Sequence, residues 1–111
     1  MASRRKEHQE DAKFRVFQII NENPQMSTRE IAQKVGISNG SAYYLLTSLI
    51  NMGFIKLSNF KDSSQKIKYS YFLTPKGISE KSLVTSKFLV RKKKEYELLK
   101  KEIIELERDE G

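Results

Sequence analysis

The segment from Ser27 to Gly53 has the sequence STREIAQKVGISNGSAYYLLTSLINMG and predicts two short helices joined by a tight turn. Ser27 followed three residues later by Glu30 forms the capping-box pattern with which many helices begin. Gly36 predicts the end of this helix, because glycine adopts the left-handed conformation of a C-terminal cap at little cost. Ser38 is a second N-cap candidate, and the helix after it is predicted to end at Gly53.

The second helix has an outward face without any acidic residue. Its apolar side consists of Ala42, Leu45, Leu46, Leu49 and Ile50. The other side is small, polar or tyrosine, with Ser38, Asn39, Gly40, Ser41, Tyr43, Tyr44, Thr47 and Ser48. A face that only meets water usually mixes Lys with Glu, whereas these side chains suit base edges and phosphate oxygens. An ordinary helical hairpin is the alternative, but we favour a helix-turn-helix whose second helix enters a major groove.

The charge distribution indicates a polyanionic partner. The 111 residues carry a formal net charge of +7, and the isoelectric point is about 9.6. Up to Lys94 there are 18 basic and 7 acidic side chains, whereas from Glu95 onward there are 3 basic and 7 acidic ones. The positive field is therefore concentrated in the first part of the chain, where it attracts a polyanion such as DNA.

Composition also argues against several classes of function. The chain has no cysteine, so disulfides, thiolate metal sites and cysteine nucleophiles are excluded. His8 is the single histidine and lies in a polar segment, and there is no glycine-rich phosphate loop or metal-ligand cluster. We therefore expect no enzyme activity, no cofactor and no metal. No apolar run has the length of a membrane span or a signal peptide, so a cytoplasmic protein is expected. The length of 111 residues predicts one domain.

The N-terminal part is predicted as a flexible tail over residues 1–9, followed by a helix from about Glu10. The basic cluster in the tail, Arg4 to Lys6, is either solvated or an arm along DNA. The helix ends before Pro24, because the residue before a proline avoids the helical region. Its apolar residues, among them Phe14, exceed what one face needs, so we expect coverage by its own domain and by a second subunit.

Two strands with a basic connection follow the helix-turn-helix. Residues 54–58 and 67–73 are apolar or alternating, and the polar residues 59–66 lie between them. A hairpin at this position would be a wing beside the DNA-reading helix. Lys61, Lys66 and Lys68 are either solvated loop residues or phosphate contacts, and we favour the contacts because of the adjacent polar helix face.

The last element is predicted as a long helix with Thr74 as N-cap and Pro75 in its first position. The 29 residues from 78 to 106 contain neither Pro nor Gly and would span roughly 44 Å. Apolar residues recur there in an imperfect heptad, so a second copy is expected to cover the far half. The predicted dimerisation residues are Phe14, Leu89, Tyr96, Leu99, Ile103 and Leu106. Antiparallel pairing is favoured, because it sets the acidic tail near the basic run 91–94, which is otherwise solvated or near flanking phosphates.

The order of these motifs resembles the winged helix of the MarR type, and more closely the small exopolysaccharide-associated MarR-family regulators. The residues that carry the resemblance are Asn21 to Pro24, Ser27, Arg29, Glu30, Val35 to Ser38, Tyr44, Leu45, Leu49, Ile50, Gly53, Phe54, Asn59 to Lys61 and Leu73 to Ile78. The resemblance implies transcriptional regulation and an association with exopolysaccharide genes. Larger relatives often have an arginine where Tyr44 stands, which leaves Tyr44 either a phosphate contact or part of the core. They also bind phenolic ligands between their dimer helices, but this chain shows no such pocket pattern.

Together these observations predict a mainly α protein with a small β-hairpin. Residues 10–74 form a winged helix-turn-helix and residues 75–111 a long dimerisation helix. The expected function is that of a dimeric, sequence-specific regulator of transcription on double-stranded DNA. The predicted DNA-binding residues are Ser27, Thr28, Arg29, Ser38, Asn39, Gly40, Ser41, Tyr43, Tyr44, Thr47, Lys61, Lys66 and Lys68. A winged helix that docks on a protein assembly is the alternative, and RNA binding is a weaker one.

Overall fold

The computed structural model describes residues 2–61 and 63–110. Over these residues the chain forms four helices and one antiparallel two-stranded sheet, in the order α1 (Ala2–Glu22), α2 (Thr28–Val35), α3 (Asn39–Asn51), β1 (Ile55–Lys61), β2 (Ile67–Leu73) and α4 (Pro75–Glu110). A helix-turn-helix, a hairpin and a long last helix therefore follow one another, which confirms the predicted fold class. We call the β1–β2 hairpin the wing.

The two helices of the helix-turn-helix begin and end at the predicted residues, with one small difference. The Ser27 hydroxyl accepts a hydrogen bond from the Glu30 main-chain N at 3.1 Å, and the Glu30 carboxylate accepts one from the Ser27 N at 3.3 Å. Gly36 closes α2 with a φ of +81°. Ser38 caps α3 by accepting from the Ser41 N at 3.1 Å. Helix α3 ends at Asn51, two residues before Gly53, which also has a φ of +81°.

Helix α1 is longer than expected, because it begins at Ala2 and not near Glu10. The flexible tail predicted for residues 1–9 is therefore helical from Ala2 onward, and Met1 lies outside the described residues. Residues 2–9 contain no proline or glycine and consist mostly of good helix formers. Once packing holds the second half of α1 in place, adding further helical residues costs little compared with starting a helix.

The wing is also longer than predicted, because β1 runs to Lys61 and not only to residue 58. Asn59 pairs with Tyr69, and Lys61 pairs with Ile67. Asn59 and Lys61 have weak strand preference by themselves. Their pairing with β2 keeps them extended, so the connection between the strands shortens to residues 62–66.

One core holds the first three helices, the wing and the start of α4 together. The three helices and β1 supply its most deeply buried apolar side chains, with Val16, Phe17, Ile20, Ile31, Leu46, Leu49 and Ile55 at 2% exposure or less. Helix α4 adds Val84, which is 7% exposed. Burying a side chain of this size contributes roughly 1.5–3 kcal/mol relative to leaving it in water. The core therefore fixes the position of α3 and of the base of the wing.

Helix α4 begins where predicted and then leaves the core. The Thr74 hydroxyl accepts from the Gly77 N at 3.0 Å, which confirms Thr74 as the N-cap. From Lys93 to Glu110 every residue of α4 is exposed. The radius of gyration is 18.1 Å, compared with about 13 Å for a compact chain of this length. The second half of α4 thus projects away from the rest of the protein, and the whole molecule is 67 Å long and at most 27 Å wide.

Candidate nucleic-acid interface

The outward face of α3 is exposed along the rows that the sequence predicted. Tyr43 and Tyr44 are 68% and 75% exposed. Tyr44 therefore lies outside the core, which leaves a phosphate contact as its predicted role. Asn39, Tyr43 and Thr47 follow one another at intervals of four residues and therefore lie on one line of the helix surface. Asn39, Gly40 and Ser41 are exposed as well, whereas Thr47 is half-buried. We call these outward residues, Asn39, Gly40, Ser41, Tyr43, Tyr44 and Thr47, the surface Asn39 to Thr47. This surface offers an amide, hydroxyls and phenols to a partner.

Ser38 lies at the start of that surface and already has local partners. Its hydroxyl accepts from the Ser41 main-chain N and donates to the Ser41 hydroxyl at 2.9 Å. The Ser41 hydroxyl hydrogen is left to point elsewhere, because a hydroxyl has one donor and two acceptor positions. Ser38 therefore fixes where α3 begins, and Ser41 is the better placed of the two for an external hydrogen bond.

The start of α2 supplies two exposed groups and one that is tied to the wing. Ser27 and Arg29 are exposed, and Arg29 brings a cation to the N-terminal turn. Thr28 is half-buried, and its hydroxyl lies 2.9 Å from the Tyr71 hydroxyl of β2. Tyr71 was not among the residues predicted from the sequence. A tyrosine in a strand that packs on the core was the available signal, because a partly buried tyrosine hydroxyl usually has a hydrogen-bond partner.

The three predicted lysines of the wing surround the connection between its strands. Lys61 is the last residue of β1, Lys66 precedes β2 and Lys68 is the second residue of β2; all three are exposed. Tyr69 is also exposed and, with Leu57 to Asn59, lines a shallow depression of about 310 Å³. The wing therefore presents basic side chains at its tip and an aromatic ring next to them.

Two lysines of the basic region, Lys13 and Lys76, bind groups of their own chain. Lys76 donates to the Met52 carbonyl at 2.8 Å, at the C-terminal end of α3, and lies 5.0 Å from the centre of the Phe54 ring. Lys13 lies 3.9 Å from Glu80 and 5.2 Å from the same ring. Lys13 and Lys76 are therefore less available to a polyanion than the bare residue count implied, whereas Arg29 and the three wing lysines are exposed.

The basic run 91–94 is only partly solvated, although the sequence predicted that all four residues face solvent or flanking phosphates. Arg91 donates to Glu10 at 2.9 Å and to Asp11 at 2.6 Å, and Lys92 lies 3.8 Å from Asp11. The acidic pair lies beside Arg91 because α1 is long enough to run along α4. Because Arg91 and Lys92 are paired within the chain, they contribute less to the attraction expected between this run and the acidic tail of an antiparallel partner. Residues 93 and 94 remain exposed.

The apolar residues predicted for dimerisation are exposed to solvent, except Phe14. Tyr96, Leu99, Ile103 and Leu106, which we call the C-terminal seam, are 47–60% exposed, and Leu89 is 50% exposed. Leu98 and Ile104 are exposed on other sides of α4 and were not in the predicted set. Phe14 instead stacks on Phe88 of its own chain, with ring centroids 4.1 Å apart. Its role in a dimer stays a prediction.

The described part of the chain holds neither a cluster of metal ligands nor a membrane-spanning helix. No group of three or more His, Cys, Asp or Glu side chains among residues 2–61 and 63–110 is placed to hold a metal ion. In the same residues, no helix combines the length and the apolar character that crossing a bilayer requires.

Comparison with known proteins supports the interpretation of the first half of the chain. Residues 9–56 match the family model described as winged helix-turn-helix DNA-binding. This match includes α2, the whole of α3 and the first residues of β1. No curated protein sequence matches the chain.

Solved structures of bacterial regulators share this fold. A PadR-like transcriptional regulator from Bacillus cereus is 19% identical, with 78% of this chain and 89% of that chain covered and a TM-score of 0.68. MarR of Staphylococcus aureus, in complex with salicylate and kanamycin, is 22% identical over 79% of this chain, with a TM-score of 0.52; only 56% of that chain is covered. A mutant of MepR from S. aureus, bound to an oligodeoxyribonucleotide, is 15% identical over 91% of this chain and 79% of its own, with a TM-score of 0.55.

Proposed function

We propose that the chain is a dimeric regulator of transcription that binds specific sites on double-stranded DNA, with residues 10–74 as the DNA-binding part. The exposed surface Asn39 to Thr47 carries this proposal. It is free of acidic side chains, and the matched family model is that of a DNA-binding domain. The solved MepR complex is an instance of the same fold with DNA bound. In a bacterial cell such a regulator acts in the cytoplasm, where the chromosome is.

The geometry supports a division of labour between α3 and its neighbours. Helix α3 would enter the major groove, which admits an α-helix and displays a distinct pattern of donors and acceptors for each base pair. Asn39 lies in its first turn, where the recognition helix contacts base edges. The start of α2 and the wing flank α3 and carry Arg29 and the three lysines, which would contact phosphates and set the register on the duplex.

The second half of α4 would hold two copies together. The C-terminal seam repeats at intervals of three and four residues and is exposed on a helix that projects from the protein. A two-fold contact between identical seams buries it on both chains. Antiparallel pairing centred between Leu99 and Ile103 would place Glu107 to Glu110 near Lys93 and Lys94 of the partner. That charge match still favours this direction.

The identity of the regulated genes rests on the sequence resemblance alone, which implies exopolysaccharide synthesis. Selection of bound fragments from a genomic DNA pool, followed by sequencing, tests it. Enrichment of sites upstream of polysaccharide genes would support the proposal. Enrichment at unrelated promoters would remove this part of the function and leave DNA binding in place.

A titration with random-sequence duplex DNA at several salt concentrations separates DNA binding from the alternative, docking on a protein assembly. A DNA-binding regulator is expected to bind such DNA with an affinity that falls steeply as the salt concentration rises, because its binding releases counterions from the DNA. A protein-docking module with a neutral α3 face would show no such binding in the micromolar range. That result would overturn the proposed function.

Replacement of Lys61, Lys66 and Lys68 together by Ala is expected to weaken binding to all duplexes alike. Each phosphate contact that is lost lowers the slope of log affinity against log salt by about 0.9, because fewer counterions are released. Fluorescence anisotropy with a specific and a random duplex measures both effects. Lys34→Ala, a change of one exposed lysine on α2, is the control and should leave the slope within error. An unchanged slope in the triple variant would exclude the wing from the interface.

Asn39→Ala is expected to reduce specificity more than general affinity. If the amide pairs with a base, its loss costs roughly 1–3 kcal/mol on the preferred site and little on random DNA. Parallel titrations of both duplexes give the specificity ratio directly. Asn51→Ala, the same change at the exposed last residue of α3, is the matched control and should leave the specificity ratio unchanged. Equal losses on both duplexes would show that Asn39 contacts the DNA backbone only.

A further inference from the structure

Tyr71 is bonded at two points to the segment that leads into the helix-turn-helix. Its main-chain N donates to the Pro24 carbonyl at 2.9 Å. Its hydroxyl lies 2.9 Å from the Thr28 hydroxyl, across 43 positions of sequence, in a partly buried contact. The ring between these two points packs against the core. Tyr71 thus joins β2 to the link before α2 and to the first residue of α2 itself.

The two bonds have different consequences for the wing. A two-stranded hairpin is marginally stable by itself, so its orientation depends on what holds its base. The main-chain bond fixes the position of β2 at Tyr71. The hydroxyl contact fixes the distance between β2 and the start of α2. Lys68 lies three residues from Tyr71 along β2, or about 10 Å in a strand. A small rotation at Tyr71 therefore displaces the basic tip of the wing by a larger distance.

We propose that the Tyr71 hydroxyl is a positioning group for DNA binding: its hydrogen bond to Thr28 sets the wing relative to α2, so that the wing lysines and the start of α2 reach the DNA backbone together. This inference rests on the proposed function. Tyr71 itself is half-buried and need not contact the DNA. Thr28, predicted as a DNA contact, has the same positioning role through its hydroxyl.

The test uses Tyr71→Phe in the full chain, which keeps the ring and the main-chain bond and removes only the hydroxyl. We expect a three- to tenfold loss of affinity for a duplex and a lower salt slope. Combining it with the triple lysine variant of the wing should cost no further affinity, because the wing contacts are already lost. A merely structural role would reduce stability without changing the salt slope. Circular dichroism confirms that the variants are folded.

Two further variants make the result decisive. Thr85→Val is the matched control, since it removes another partly buried hydroxyl, which donates to the Lys81 carbonyl of α4 at 2.6 Å, and it should bind as the wild type does. Thr28→Val removes the other half of the hydrogen bond and should reproduce the effect of Tyr71→Phe, with no additional loss when the two are combined. It also replaces Tyr71→Phe if that variant does not fold.

The outcomes separate this inference from the proposed function. Wild-type affinity and salt slope in both Tyr71→Phe and Thr28→Val would overturn the positioning role while DNA binding stands. A loss in Tyr71→Phe that adds fully to that of the triple lysine variant would also overturn it, because the hydroxyl would then act independently of the wing. If the wild-type chain binds no duplex at all, the proposed function itself fails.

Discussion

A chain with Leu99→Glu and Ile103→Glu is expected to be monomeric and to lose at least about 100-fold in affinity for a DNA site with two half-sites. The two side chains are 56% and 47% exposed at the centre of the C-terminal seam. Two copies would have to bury four carboxylates in one apolar contact, and an unpaired charge is costly to bury. Affinity for an isolated half-site should not change, because α3 and the wing are distant from the substitutions.

Sedimentation equilibrium and titrations with full-site and half-site duplexes measure this prediction. The control is Val90→Glu with Leu98→Glu, two exposed apolar residues on other sides of the same helix. It adds the same charge and should remain dimeric. A seam variant that stays dimeric and keeps its full-site affinity would contradict the prediction. The dimer would then have to rest on α1 around Phe14.

The direction of pairing can be determined in the same system, because the natural chain has no cysteine. In a parallel pair, equivalent residues of the two copies are adjacent, so Leu106→Cys would form a disulfide with itself on oxidation. In the favoured antiparallel pair, Leu106 lies beside Tyr96 of the partner. A mixture of Leu106→Cys and Tyr96→Cys chains should then cross-link to each other and not to themselves. Self-cross-linking of Leu106→Cys would contradict the antiparallel arrangement.

Gly77→Ala is expected to destabilise the fold by about 2–3 kcal/mol, the upper part of the usual range for overpacking. Gly77 is buried in the first turn of α4, against the main chain of Phe54. An added Cβ would overlap the Phe54 carbonyl oxygen and lie 2.9 Å from its carbon. The same oxygen accepts a hydrogen bond from the Thr74 N at 3.1 Å, so a shift of this segment also strains the start of α4.

Thermal and urea unfolding followed by circular dichroism measure the effect, which should lower the melting temperature by roughly 10 °C. Gly40→Ala is the matched control, since it is also a glycine within a helix and a Cβ there would meet no atom within 4 Å. That change should be neutral or stabilise the fold by up to about 1 kcal/mol, because glycine disfavours helix. Equal melting temperatures of the two variants would show that α4 can move away from Phe54 at little cost.

Several features of the fold could be predicted because neighbouring residues determine them. The capping box of Ser27 and Glu30 and the N-cap Thr74 act within three residues along the chain. Gly36 closes α2 through its own backbone conformation. The polar outward face of α3 follows from helical periodicity once the apolar positions are buried. For these reasons the order of elements and the exposed face of α3 could be predicted from the sequence.

Other features depend on residues that are far apart in the sequence. Arg91 meets Glu10 and Asp11 across 81 and 80 positions. Phe14, predicted to be covered by its own domain and by a second subunit, stacks on Phe88 of the same chain, and its contact with a second subunit stays a prediction. Periodicity shows that such a side chain is apolar and on one face, but it does not show which element covers that face.

By itself, therefore, the sequence determined the kind of fold: a capped helix-turn-helix with a basic wing, a polar outward face on α3 and a last helix too long for its domain. The tertiary structure alone decided that α1 extends to Ala2 and runs beside α4, that Arg91 is paired within the chain, and that Tyr71 joins the wing to α2. Local patterns follow from interactions within one helical turn or one strand. Partners across the fold are chosen by how complete elements pack, and that choice depends on all of the elements together.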